Sequence, residues 1–127
     1  MKRTLLIFTG AVLAFSIIGC APKIVSSEGG VYQGCRLFAV SDKSMDTVYN
    51  AALQAMSKLE LNLVDKAKDA FGAKVVAKSS DDKRIVVEIR QTEDNRTMYN
   101  IRVGAFGNEE RSQKIFEEMS KILMEKK

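Results

Sequence analysis

The sequence of 127 residues contains no histidine, two cysteines and one proline. Without an imidazole, Ser-His-Asp and Cys-His arrangements and the commonest metal ligand are missing. Two cysteines are too few for a zinc site and for a disulfide framework. The carboxylates do not gather into an acid–base pair. Glu109/Glu110 and Glu117/Glu118 are neighbours on a helix-patterned stretch, and Asp81/Asp82 fall in a turn. Ser–Lys neighbours in "SKL", "AKSS" and "MSK" come with no accompanying motif. The chain reads as a non-enzyme with no cofactor and no metal.

Long apolar runs are also scarce. The one present, Leu5 to Gly19, is fifteen residues long, short of the roughly 20 that a membrane-spanning helix needs. Lys2 and Arg3 precede it, and it ends in Ile17, Ile18, Gly19 and Cys20. A basic start, a short apolar stretch and a small-residue ending read as a secretory signal. The ending "IIGC" resembles the lipobox of bacterial lipoprotein signals at all four positions. That resemblance implies cleavage between Gly19 and Cys20, a diacylglyceryl thioether on Cys20 and acylation of the new amine. A thiolate is the nucleophile that can accept a lipid, and glycine lets an enzyme approach the backbone. At about 0.8 kcal/mol per buried methylene, one acyl chain anchors marginally and two or more anchor firmly. The expected location is the periplasmic face of a bacterial membrane. Ala21, where an aspartate would resemble an inner-membrane retention signal, favours the outer membrane over the inner.

Charge of one sign is not in excess either. The whole chain has 20 basic and 16 acidic residues; without Lys2 and Arg3 the count is 18 against 16, a net charge of +2. Nothing in that balance points to nucleic acid. With Cys20 occupied by lipid, Cys35 is unpaired, and its expected place is the core, as a small apolar residue.

Three regions follow: 1–19 a signal peptide, 20–30 the lipidated cysteine and a flexible tether, and 31–127 a single α+β domain. The tether, "APKIVSSEGG" after the cysteine, holds the only proline. A strand is expected over Val31–Ser41. Met45, Val48, Tyr49, Ala52, Met56 and Leu59 then recur at helical spacing behind Ser44 as N-cap. Strand patterns follow at Asn62–Lys68, Ala73–Ser79, Arg84–Gln91 and Thr97–Val103, separated by turn-rich breaks. Ile115, Phe116, Met119, Ile122 and Leu123 make a second helical stripe, capped by Asn108. The order β-α-β-β-β-β-α predicts a two-layer sandwich with an antiparallel five-stranded sheet, order 1-5-4-3-2, and both helices on one face.

The stretch "NIRVGAFGNEERS", with the lipobox, "VYNAALQAM" and "AKVVAKSSDDKRIVVEI", resembles an uncharacterised family of small bacterial lipoproteins, a domain of unknown function. The resemblance covers essentially the whole chain and implies fold and address without an activity. Gly104 and Gly107 are expected to turn the last strand into the last helix, with Phe106 plugging the gap between sheet and helix. Glu109 and Glu110 place negative charge where a phosphate-cradling loop would need an anion.

Alternation also assigns the second sheet face. If the helices cover Val75, Ala77, Ile85, Val87, Ile89, Tyr99 and Ile101, the opposite face carries Lys66, Lys68, Lys74, Lys78, Arg84, Arg90, Arg96 and Arg102, opposed mainly by Glu88. Such a face keeps a sheet soluble. It also suits contact with an anionic envelope component or another envelope protein. The expected function is a membrane-anchored, non-catalytic envelope module, structural or partner-binding. The contrasting expectation is a lipid or small-molecule carrier with a cavity between helices and sheet.

Overall fold

Period-2 alternation through the middle of the chain and a 3.6-residue stripe on either side of it set the layers. The computed structural model describes Lys23–Ile24 and residues 30–125. The signal peptide and the Gly19–Cys20 junction lie outside these residues. The elements are β1 (Lys23–Ile24), β2 (Val31–Gln33), β3 (Arg36–Ser41), α1 (Met45–Lys58), β4 (Asn62–Lys68), β5 (Gly72–Lys78), β6 (Arg84–Gln91), β7 (Thr97–Val103) and α2 (Glu109–Glu125). They form one antiparallel sheet in the order β1-β2-β3-β7-β6-β5-β4. The architecture is α+β, with six strands of three or more residues and the two-residue β1 where five strands were expected.

The difference arises at one turn. Val31–Ser41 is not a single strand but a hairpin, with Gln33 paired to Arg36. Gly34 and Cys35 between them have φ of 58° and 65°, the two left-handed residues that a two-residue type I′ turn requires. Cys35 therefore sits exposed at the tip of the hairpin instead of in the core. The hairpin adds β2 outside β3. Lys23–Ile24, within the segment expected as a tether, pairs in turn with β2.

Both helices start where their caps place them. Ser44 Oγ accepts the Thr47 N–H at 3.2 Å, and Asn108 Oδ1 accepts the Arg111 N–H at 3.0 Å, satisfying donors that a helix N-terminus leaves open. The helices then bury Val48, Ala51, Ala55, Met56, Ile115, Phe116, Met119 and Ile122 against Leu37, Val75, Val87, Ile89, Tyr99 and Ile101 of the sheet. Each large aliphatic side chain so buried contributes roughly 1.5–3 kcal/mol. The Phe116 ring lies 6.4 Å from that of Tyr99. Among the described residues no helix covers the other face of the sheet, and none is long and apolar enough to cross a membrane.

Candidate functional site: the open sheet face

Pairing register decides which side chains share the uncovered face, because directly paired residues point the same way. Lys74 pairs with Glu88 and Lys78 with Arg84. Glu88 pairs with Asn100, Val86 with Arg102 and Arg90 with Met98. Lys74, Lys78, Arg84, Arg90 and Arg102 therefore share the open face, as alternation predicted.

Lys66, Lys68 and Arg96 do not. β4 carries a bulge between Leu63 and Asp65, after which Asp65 pairs with Val76, Lys66 with Val75 and Lys68 with Ala73. The extra residue turns both lysines to the helix side. An unbroken register would set Asp65 against Val75 on the covered face and Lys66 directly against Lys74, a like-charge pair that destabilises a sheet. The bulge removes both conflicts. Lys68 Nζ lies 2.7 Å from Asp46 Oδ1, in the first turn of α1, and 5.4 Å from the centre of the Tyr49 ring. Arg96 belongs to the β6–β7 turn, where its guanidinium is 2.7 Å from Asp94.

What the face gathers is a basin of about 350 Å³ lined by Arg36, Lys74, Arg84, Val86, Glu88, Asn100, Arg102, Gly104 and Ala105. Four cations surround one carboxylate. Glu88 is 3.8 Å from Arg36, and among the described residues Lys74 and Arg84 make no ion pair. Arg36 escaped the sequence reading. The signal was present, because a turn at Gly34–Cys35 with Leu37 on the covered face leaves Arg36 on the open one.

One wall of the basin is the loop between β7 and α2. Gly104 and Gly107 have φ of 72° and 76°, so the glycines make the turn as expected. The Gly104 N–H donates to Arg84 O at 2.7 Å. Arg102 donates from Nε to Gly104 O at 3.3 Å and from Nη2 to Ala105 O. A Cβ at Gly107 would lie 2.5 Å from Tyr32 Oη and 2.6 Å from Cys35 O, so the loop rests directly on the β2–β3 hairpin. Burial in that contact, with Cys35 and Glu109 nearby, raises the Tyr32 hydroxyl pKa. Phe106 does not plug the layer gap; its side chain is 90% exposed, because Phe116 and Ile115 already fill the space beneath α2.

The basin supplies guanidinium and ammonium donors on a rigid sheet. It can hold an anion by charge and hydrogen bonding. The chain belongs to the family described as "Protein of unknown function (DUF3568)", whose model matches residues 3–122. No curated protein matches the sequence.

Proposed function

We propose that the protein is a lipid-anchored, non-catalytic module of the bacterial envelope that binds anionic groups through the open face of its sheet. The observation that carries this reading is the basin of Arg36, Lys74, Arg84 and Arg102 around the lone Glu88, on a face no described helix covers. The anchor is Cys20, processed after Gly19, and the address is the periplasmic face of a membrane, the outer membrane being favoured by Ala21. The family match begins at residue 3, so the apolar leader and the domain are matched together. The carrier reading has less support. Leu37, Met56, Ile101, Met119 and Ile122 fill the space between the layers. A groove of about 500 Å³ opens at one rim of that space, beside Asp42, Lys43 and Arg96, and a smaller one of about 200 Å³ at the other, beside Leu59, Ile85 and Ile115.

The test uses the full chain in neutral detergent, titrated with short-chain phosphatidylglycerol or with phosphatidylcholine of the same chain length, read by backbone amide shifts. Phosphatidylglycerol should shift the Arg36, Lys74 and Arg84 region, and the effect should weaken with salt, because exposed charges are screened beyond about 10 Å at 0.1 M. A folded Lys74→Glu/Arg84→Glu variant should lose it. Equal shifts with both lipids, or unchanged shifts in the variant, would sink the proposal.

A further inference from the structure

The loop that walls the basin holds a large apolar side chain in water. Phe106 is exposed, yet its loop is braced on three sides: by Arg84 O on the Gly104 N–H, by the Arg102 side chain on two carbonyls, and by the hairpin tip against Gly107. A braced loop that presents a bare ring suits a surface awaiting an apolar environment.

The direction of β1 says which environment. Lys23 pairs with Tyr32 and Ile24 with Val31, so the chain enters β1 from the end that carries the Gly34–Cys35 turn and the Phe106 loop. Cys20 precedes Lys23 by three residues, and three fully extended residues reach at most about 11 Å. Arg36, Arg84 and Arg102 lie at that same end of their strands, where Ile85 pairs with Val103 and Leu37 with Ile101. Several acids there are already matched: Asp81 with Arg111 at 2.7 Å, Asp82 with Lys78 at 3.4 Å and Glu110 with Lys114 at 3.5 Å. The cations of the basin keep their net positive charge. One protruding aromatic is too little for a stable protein interface, which needs on the order of 1,000 Å². It is enough to enter a lipid headgroup region beside phosphate-binding arginines.

We infer that this end of the domain docks on the anionic phospholipid leaflet that holds its lipid anchor. Phe106 enters the interface, and Arg36, Arg84 and Arg102 meet headgroup phosphates. This rests on the proposal that Cys20 is acylated, and it makes the leaflet itself the anionic partner of the basin.

The chain has no tryptophan, so a Phe106→Trp variant carries a single indole reporter. The full chain is reconstituted in vesicles of phosphatidylglycerol and phosphatidylethanolamine with brominated acyl chains. Its emission should shift to the blue and be quenched several-fold more than that of a Phe71→Trp control, whose position is 85% exposed at the opposite end of the sheet. Adding Arg36→Glu and Arg84→Glu should reduce the quenching, as should replacing phosphatidylglycerol by phosphatidylcholine. Mass spectrometry of Cys20 in the same sample separates the two ideas. Acylated Cys20 with equal quenching at both positions overturns the docking and leaves the anchor. Unmodified Cys20 with a quenched indole at position 106 overturns the anchor, and with it the docking on an anchoring leaflet, and leaves only the affinity of this end for anionic lipid.

Discussion

The β5–β6 turn, Ser79–Lys83, and the β6–β7 turn, Thr92–Arg96, lie at opposite ends of the sheet and are built from the same parts. In each, the hydroxyl of the first residue accepts the N–H of the fifth, at 3.2 Å from Lys83 and 3.1 Å from Arg96. The same hydroxyl donates to the third residue's carboxylate, Asp81 or Asp94. The fourth residue is left-handed, Asp82 at φ 65° and Asn95 at 63°. They part at the carboxylate. Asp94 takes Arg96 Nε of its own turn at 2.8 Å. Asp81 takes both terminal nitrogens of Arg111, in the first turn of α2, at 3.0 and 2.7 Å. Like sequences make like turns, and one tertiary partner makes one of them a strap onto a helix. The strapped end is also the one where Gly107 meets the hairpin, so the Phe106 end is held by distant parts of the chain. At the other end the Phe71 turn is held by its neighbour Asp69, which accepts from the Phe71 and Gly72 amides at 2.8 and 2.9 Å.

The largest effect should come from breaking the strapped end at Gly107. Alanine there meets both a left-handed φ and hard contacts with Tyr32 and Cys35. A strained backbone of about 1 kcal/mol and overpacking of 1–3 kcal/mol together predict a loss of about 2–4 kcal/mol. Gly104→Ala shares the φ but finds only Lys83 Cδ, at 3.8 Å, and should lose about 1 kcal/mol. Urea unfolding of the two variants measures the difference. Equal losses would mean that the hairpin contact does not hold the loop.

A smaller effect is expected at the opposite end, where a buried long-range tie from Thr97 joins the exposed one between Lys68 and Asp46. Thr97 is fully buried, and its Oγ1 donates to Lys43 O at 2.7 Å, joining β7 to the segment between β3 and α1. Thr97→Val keeps the shape and removes the donor, which should lose about 1–2 kcal/mol in the same unfolding assay. A loss as large as that of Gly107→Ala would erase the contrast between the ends.

The turns, caps and covered face were legible because each is written in adjacent residues or in strict alternation. "SSDDK" and "TEDNR" specify their turns, Ser44 and Asn108 cap their helices, and Ile85, Val87 and Ile89 mark the buried face. Features set by a pairing partner were not legible. In "NLVDKAK" nothing local marks the bulge; it follows from avoiding Lys66 opposite Lys74, which requires knowing that β5 lies alongside. Gly34–Cys35 hid a hairpin because cysteine is an unusual residue at positive φ. Of the open face, five basic residues were read correctly, three of them in the basin, while Arg36 needed that hairpin and the exposure of Phe106 needed the packing beneath α2.

The smallest effect tests the carboxylates themselves. Hydrogen bonds from Arg111 and Ser79 hold the Asp81 carboxyl well below its ordinary value of 3.8. Those from Thr92 and Arg96 lower Asp94 to about 2. A carboxyl with a lower pKa folded than unfolded stabilises the fold above its unfolded pKa. That contribution is lost as pH falls through the folded value, since the unfolded chain takes up the proton first. Asp81→Asn should therefore lower stability at neutral pH, and its deficit relative to the parent should shrink as pH drops below about 4. Both groups are exposed, so the effects are modest and should fade in high salt. Hydrogen exchange then separates strap from local turn. Asp81→Asn should speed exchange in the first turn of α2 as well as in Ser79–Lys83, whereas Asp94→Asn should speed it only within Thr92–Arg96. If both variants leave α2 equally protected, Arg111 is a surface ion pair that straps nothing, and the two turns differ only in which neighbour their carboxylate found.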